Sequence, residues 1–199
     1  LETVRENSGN YLAVFPSYRF LNDVYDAFQE SRKPEEDLFW LVQDPGMTEE
    51  EREEFLNYFE EEREGTLLGF CVMGGIFSEG IDLTDEKLIG AWVIGTGLPQ
   101  VCLERELLKK YFDEKGMSGF DYAYLYPGMN KVLQAACRVI RTDTDQGMIF
   151  WLDDRFQMSQ YRAVFPREWS QVRRIRLSQT AKEVAAFWEG TRTHPPVSD

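Results

Sequence analysis

The segment QAACRVIR, residues 134–141, places one glutamine and two arginines at a spacing that predicts a shared helix face. At 3.6 residues per turn, Gln134, Arg138 and Arg141 follow one another at i, i+4 and i+7. No carboxylate stands three or four residues before either arginine, so nothing local relieves their mutual repulsion. Because a planar guanidinium suits a phosphate, the segment predicts an anion-binding site. A solvated helix face with two ordinary arginines explains the same spacing equally well.

A second segment, GGIFSEGID at residues 74–82, follows an apolar run at residues 67–73. An apolar run that closes in two glycines predicts a strand ending where the backbone turns tightly or approaches a ligand. In parallel α/β sheets, ligands bind at the carboxyl ends of the strands. A plain turn with solvated acids is the alternative interpretation. The residues of this loop that could contact a ligand are Ser78, Glu79, Gly80 and Asp82.

Together these segments resemble motifs V and VI of the superfamily 2 helicases, and more narrowly those of the DinG and XPD group. The intervening LIGAWVIGTGLPQV (88–101) and the longer YPGMNKVLQAACRVIRTDTDQG (126–147) fit the same pattern. YLAVFPSYR at residues 11–19 resembles motif IV of the group, and WLDDRF at 151–156 resembles its closing strand. The segments occur in the family's order and cover roughly residues 8–166.

The resemblance implies an α/β fold, specifically a RecA-like three-layer domain with a mostly parallel sheet covered by helices on both faces. The alternation of apolar runs with amphipathic segments predicts the same architecture. We expect a second motor domain over residues 1–166 and a C-terminal appendage over 167–199 that ends in a disordered tail. Strands are predicted at 11–15, 37–42, 67–73, 88–94 and 148–152, and helices at 18–29, 48–64, 104–115, 122–141 with a break near Pro127, and 178–188.

The chain has no GxxxxGK[ST] phosphate loop and no acidic box beside one. In the family that the chain resembles, these motifs and a four-cysteine iron–sulfur insertion belong to the first motor domain. The chain also starts at Leu1 rather than at a methionine. We therefore expect it to be one half of a longer helicase that binds ATP with Mg²⁺ at the seam with its first domain. An iron–sulfur cluster is possible in that other part, and none is expected here.

The resemblance also implies roles for individual residues in ATP hydrolysis. An arginine inserted across an interface contributes about 10³ to 10⁵ in rate to phosphoryl transfer. Arg141 is the expected arginine finger, and Arg138 is expected to contact a phosphate or the partner domain. Gln134 would orient the attacking water or the γ-phosphate. The residues expected to sense nucleotide are Glu79, Gly80 and Asp82.

Single-stranded DNA is the partner that the resemblance implies. Ser17 stands where a helix is predicted to begin, and a helix N-terminus offers N–H groups and a positive dipole end to a phosphate. Alternatively, Ser17 only caps its helix. The expected DNA contacts are Ser17, Tyr18, Arg19 and Ser78.

The net charge of −13 argues against a simple nucleic-acid binder, which would have a basic surface. Residues 1–100 hold 7 Lys and Arg against 22 Asp and Glu, whereas residues 101–199 hold 15 against 13. Much of the acid lies in the predicted helix at 48–64, whose narrow apolar stripe is typical of a solvated helix. Any DNA must therefore bind a different surface.

Three cysteines, Cys71, Cys102 and Cys137, fit the spacing of neither a disulfide framework nor a metal site. We predict that all three are small buried hydrophobes. No apolar stretch approaches the roughly 20 residues that cross a bilayer, and no signal peptide opens the chain. This predicts a protein with no membrane partner, located in the cytoplasm, or in the nucleus of a eukaryote.

One departure from the family is Cys137, which stands where the family usually has glycine, directly before Arg138. A side chain there is expected to loosen a close backbone approach. Two other classes of function stay open. One is a degenerate helicase-like domain that acts as a nucleic-acid-binding or scaffolding module, or is attached to a nuclease. The other is an α/β protein that binds a phosphorylated small molecule with the same arginines.

Overall fold

The structure is a computed structural model of the chain. It describes residues 2–32, 37–74, 88–140, 146–167, 169 and 172–193.

Within the described residues, five strands form one sheet in the order β2-β3-β1-β4-β5, and every neighbouring pair is parallel. The predicted parallel sheet is confirmed, and each predicted strand lies within two residues of the observed one. β3 is buried along its whole length because helices cover both faces of the sheet. The strands are β1 (Asn10–Phe15), β2 (Leu38–Val42), β3 (Thr66–Val72), β4 (Gly90–Ile94) and β5 (Met148–Leu152).

Helices connect the strands and pack on the sheet. The α-helices are α1 (Glu2–Glu6), α2 (Tyr18–Ser31), α3 (Glu49–Glu60), α4 (Leu103–Glu114), α5 (Tyr126–Ala136), α6 (Ser159–Arg162) and α7 (Thr180–Thr193). A π-helical segment, Asp121–Leu125, leads directly into α5, and short 3₁₀ helices cover Asp154–Gln157 and Leu177–Gln179.

The side chains of β1 alternate between two hydrophobic cores. Tyr11, Ala13 and Phe15 join one buried cluster, which α1 and α2 complete. Leu12 and Val14 join the other, which is completed by α3, α5 and the segment after β5. This alternation follows from the period of two in a strand, and it confirms three layers with the sheet in the middle.

The segment before Arg141 differs from the predicted helix in two ways. The helix does not break at Pro127. Pro127 lies in the first turn of α5, where no intrahelical N–H is needed, and the preceding π-helical turn widens the backbone. The helix also ends earlier than predicted, at Ala136, with Cys137 as its C-terminal cap.

The acidic helix begins as the sequence predicts but ends four residues early, at Glu60. Thr48 caps it through a capping box, in which Glu51 N–H donates to Thr48 Oγ1 at 3.3 Å and Thr48 N–H donates to Glu51 Oε2 at 2.7 Å. At the other end, Arg63 Nη2 donates to the Tyr58 carbonyl at 2.6 Å. This bond satisfies a terminal helix carbonyl and turns the chain out of the helix.

The cysteine prediction is right for one residue and wrong for two. Cys71 lies on β3 and is fully buried, which raises the pKa of its thiol. Cys102 and Cys137 are exposed because one precedes α4 and the other follows α5, both outside the packed layers.

The last helix packs onto the first. α7 contacts α1, and its Val184 is fully buried. The boundary at residue 166 between a motor domain and an appendage stays a prediction. Among the described residues, no helix has the length and apolarity needed to cross a membrane.

Candidate functional site

The start of α2 lies at the carboxyl edge of the sheet, directly after the central strand β1. Ser17 has an extended backbone (φ −160°, ψ 154°), and its Oγ accepts a hydrogen bond from Phe20 N–H at 3.3 Å. The cap interpretation of Ser17 is therefore confirmed. Ser17 and Arg19 are exposed, so both side chains face solvent at the positive end of a 14-residue helix.

Tyr18 is held differently from its neighbours. It is half-buried, and its hydroxyl oxygen accepts a hydrogen bond from Gln43 Nε2 at 2.9 Å. Burial raises the pKa of Tyr18, and Asp44 adds to the rise while Arg52 opposes it. The hydroxyl therefore stays protonated, and the Tyr18 side chain is engaged with the protein interior.

Gln43 is a site residue that sequence reasoning missed. It follows β2 directly and is only 4% exposed. Its Oε1 accepts from Val72 N–H at 2.9 Å, so the side chain joins the ends of β2 and β3 to the first turn of α2. The signal in the sequence was a polar residue between the apolar run LFWLV and the turn DPG, at the end of a parallel strand.

β3 ends in the turn that the two glycines predicted. Met73 N–H donates to the Phe15 carbonyl at 2.8 Å, and Gly74 has φ +79°, a conformation that favours glycine. A Cβ at Gly74 would lie 3.7 Å from Lys131 Nζ, which places an ammonium group at this edge. Lys131 was also missed, although it precedes Gln134 by three residues and so lies on the same side of α5. The candidate residues Ser78, Glu79, Gly80 and Asp82 lie outside the described residues.

α5 starts at the same edge and runs back to the opposite one. At its start, a Cβ on Gly128 would lie 2.8 Å from the Thr96 carbonyl, just after β4. At its far end, Val139 packs against Gly147, whose neighbour Met148 donates its N–H to the Ile89 carbonyl before β4 begins. The eight residue steps from Gly128 to Ala136 rise about 12 Å along the helix axis. The end of α5 thus lies near the amino edge of the sheet.

Gln134 and Arg138, two of the three residues of the predicted anion site, do not share one helix face. Gln134 is exposed on the last turn of α5, whereas Arg138 is half-buried in the turn that follows the helix. That turn is formed by Val139 N–H donating to the Ala136 carbonyl at 3.1 Å. The i, i+4, i+7 prediction fails because the helix ends before Arg138. Arg141 lies outside the described residues.

The cysteine in place of the family glycine fits its position. Cys137 has φ −63° and ψ −3°, which any residue adopts, and it is exposed. Its Cβ therefore neither strains the backbone nor intrudes on the packed layers. The expected loosening of a close backbone approach at this residue stays a prediction.

The end of β5 carries a further charged contact at the carboxyl edge. Arg155 Nη2 donates to Asp153 Oδ2 at 2.7 Å, and its Nε donates to Oδ1 at 2.9 Å. These bonds hold the pKa of Asp153 below its usual range. Within the described ranges, no group of three or more His, Cys, Asp or Glu side chains is arranged to hold a metal ion.

Comparison with known proteins identifies relatives for most of the chain. Residues 1–172 match the helicase C-terminal domain family. The regulator of telomere elongation helicase 1 homolog of Drosophila virilis is 34% identical over 167 residues, which cover 75% of this chain and 16% of that protein. The ATP-dependent DNA helicase CHL1 of Scheffersomyces stipitis is 25% identical over 198 residues, which cover 89% of this chain and 23% of that protein. The chain therefore spans less than a quarter of these relatives.

Two solved structures share the fold. The structure named XPD_APO has a TM-score of 0.61 and 20% identity, covering 81% of this chain and 32% of that one. Xpd4 of S. tokodaii has a TM-score of 0.53 and 16% identity, covering 83% and 30%. The expected RecA-like three-layer fold is confirmed.

Proposed function

The chain belongs to the family of helicase C-terminal domains of the DinG and XPD type, and we propose that it is the second motor domain of an ATP-dependent DNA helicase. In this proposal it acts within a longer protein, beside a first motor domain that grips ATP. Single-stranded DNA is the track along which the motor moves. The isolated chain is expected to be inactive because it has no phosphate loop.

The observation that carries the proposal is the separation of two polar regions towards opposite edges of the sheet. Ser17 and Arg19 lie at the carboxyl edge, and Gln134 and Arg138 lie towards the amino edge. A translocating motor needs one surface for the DNA backbone and another for the nucleotide, so that closure on ATP can move the domain along the strand. This arrangement supports two ligands rather than one small molecule.

At the nucleotide surface, the chain's own contribution is charge and orientation. Phosphoryl transfer requires mainly positioning and positive charge to meet the charge that develops on the γ-phosphate. Arg141 supplies the arginine finger, and Arg138 contacts a phosphate or the first domain. Gln134, exposed on α5, orients the attacking water. The loop residues Glu79, Gly80 and Asp82 sense the nucleotide, and the Mg²⁺ that accompanies ATP lies at the seam.

At the DNA surface, the phosphate contacts are divided among three neighbouring residues. The Ser17 hydroxyl accepts from Phe20 N–H, and its own O–H remains able to donate to a phosphate, so capping and binding are compatible. Arg19 supplies an exposed cation. Tyr18 contributes its main-chain N–H, because its hydroxyl is bound to Gln43. Ser78 completes the contact from the neighbouring loop.

The test is Arg141→Ala in the full-length protein that contains this chain. DNA-stimulated ATP hydrolysis should fall by about 10³ or more, because the finger charge is lost from the transition state. The melting temperature should stay near that of the wild type. Arg174→Ala, which removes an exposed arginine from the appendage, is the matched control and should leave turnover unchanged. Turnover that survives Arg141→Ala would refute the assignment of the finger. Single-stranded DNA binding without any wild-type turnover would favour the degenerate-module alternative.

A further inference from the structure

Gln43 combines burial with complete use of its amide. The side chain is 4% exposed, its Nε2 donates to the Tyr18 hydroxyl at 2.9 Å, and its Oε1 accepts from Val72 N–H at 2.9 Å. A buried polar side chain is costly unless it is satisfied, and here both ends of the amide have a partner. The two partners lie on different elements, the first turn of α2 and the end of β3.

The side chain extends the sheet by one hydrogen bond. β2 pairs with β3 up to Val42 and Phe70, and Gln43 N–H then donates to the Phe70 carbonyl at 2.8 Å. The next N–H of β3 that faces β2 is that of Val72. It donates to the side-chain oxygen of Gln43, so the amide takes the place of a main-chain acceptor where β2 has ended. The other end of the same amide is then fixed in direction and reaches α2.

We propose that Gln43 is a positioning residue that holds the first turn of α2 in place for its contact with the DNA backbone. The inference rests on the proposed function and deepens it. Tyr18 lies between Ser17 and Arg19, so a fixed Tyr18 hydroxyl fixes the helix end that presents both neighbours to a phosphate. Because Val72 belongs to the sheet, the hydrogen bonds of Gln43 fix the position of that helix end relative to the sheet.

An amide is suited to this position because it donates and accepts at once. A carboxylate would accept from Val72 N–H but could not donate to Tyr18, and it would place a charge in a nearly inaccessible site. Burial raises the pKa of Tyr18, so its hydroxyl is neutral while the oxygen accepts from Gln43, and no charge is buried beside the amide. The other charged groups near this hydroxyl are Arg52 and Asp44, which act on it in opposite directions.

The same helix offers a matched control. Two turns further along α2, the Tyr25 hydroxyl accepts from Gln29 Nε2 and from Trp40 Nε1, the latter at 3.0 Å. Tyr25, like Tyr18, is half-buried. This second tyrosine–glutamine pair has the same chemistry but lies away from the helix end. Its loss should destabilise α2 in a similar way without moving the first turn.

The experiment measures the affinity of the full-length protein for a fluorescent oligo-dT strand between 50 and 200 mM salt. Tyr18→Phe and Gln43→Met should each weaken binding about fivefold at the lower salt. Each should also reduce the slope of log Kd against log salt by about 0.7, the value for one lost phosphate contact on a single strand. Tyr25→Phe and Gln29→Met should leave both quantities at the wild-type value.

A double-mutant comparison tests whether Gln43 acts through its neighbours. Arg19→Ala should weaken binding and reduce the slope in the same way. If Gln43 only positions this contact, adding Gln43→Met to Arg19→Ala should raise the Kd for oligo-dT by less than about twofold. Full additivity would overturn the inference.

The remaining outcomes are separable. An unchanged salt slope in Tyr18→Phe and Gln43→Met, or equal losses in the Tyr25 and Gln29 controls, would overturn the inference and leave the proposed function intact. If Arg19→Ala binds the oligo-dT strand with the same Kd as the wild type, the proposed DNA surface itself is wrong. Should Gln43→Met fail to fold by circular dichroism, Tyr18→Phe carries the test, since it removes one hydroxyl from a half-buried ring.

Discussion

The start of α2 and the end of α5 carry the two halves of the proposed activity, and they are held in different ways. The start of α2 is joined to the rest of the fold by the Ser17 cap and by the Gln43 amide, next to the main-chain bond from Met73 to Phe15. The end of α5 closes in a short main-chain turn, with Gln134 on the last turn of the helix and Arg138 in the turn that follows it. The start of α2 is thus fixed by side-chain hydrogen bonds from other elements, whereas the end of α5 is closed by main-chain hydrogen bonds and by the packing of Val139 against Gly147.

The difference suits the two kinds of ligand. A DNA backbone passes through the same contacts at every step, so the groups that hold it benefit from being fixed in advance. A finger residue must meet a nucleotide that is bound on another domain, and its geometry is completed only when the seam closes. Arg138→Ala and the Ser17 variants test this contrast, and an Asp153 variant tests a stabilising contact outside both regions.

Arg138→Ala should separate the two regions most clearly. We expect the maximal DNA-stimulated ATPase rate of the full-length protein to fall about 10²-fold or more, because a charge is lost from the nucleotide surface. The Kd for oligo-dT without nucleotide should stay within about twofold of wild type, because Arg138 lies towards the opposite edge from Ser17. If Arg138→Ala weakened oligo-dT binding as strongly as it lowers the ATPase rate, the nucleotide and the DNA would share one surface.

Ser17 allows the cap to be separated from the DNA contact. Ser17→Ala should cost about 1 kcal/mol in the free energy of unfolding, measured with urea, because Phe20 N–H loses its acceptor. Ser17→Asp should retain the cap and the wild-type stability but weaken oligo-dT binding by several fold, because a carboxylate repels phosphate. Equal DNA affinity in Ser17→Asp and wild type would place the DNA elsewhere.

The smallest effect is expected for Asp153→Asn, which should change only the free energy of unfolding. Its folded pKa lies below the ordinary value of about 3.9 because Arg155 donates hydrogen bonds to it. The stabilisation is therefore fully present above that ordinary value and is lost as the pH falls through the lower folded value. The difference in unfolding free energy between wild type and Asp153→Asn should shrink between about pH 5 and pH 3. A difference that does not vary with pH would mean that the pair contributes no linked stability.

Most of the fold could be predicted from the sequence because its signals are local. Apolar runs bounded by turn residues predicted all five strands, and the alternation with amphipathic segments predicted their parallel arrangement. Ser17 was recognisable as a cap from its place before an amphipathic run. Gly74 was recognisable as a turn residue for the same kind of reason.

The parts that could not be predicted depend on contacts between distant residues. Nothing within ten residues of Gln43 indicates that its amide meets Tyr18 and Val72. The end of α5 at Ala136 was missed because the pattern continues through Val139, which is buried after the helix has ended. Cys102 lies between Val101 and Leu103, and Cys137 follows Ala135 and Ala136, so their exposure depends on where the layers stop and not on these neighbours.

The central place of β1 determines which part of the molecule opens last. β1 is hydrogen-bonded along both sides, to β3 and to β4, whereas β2 and β5 each have one sheet neighbour in the part of the chain that the structure describes. Amide protons of β1 should therefore exchange with solvent only when the whole domain unfolds, while those of the two outer strands exchange through smaller local openings. The helix that starts at Tyr18 therefore follows directly on the strand that we expect to exchange its amide protons most slowly.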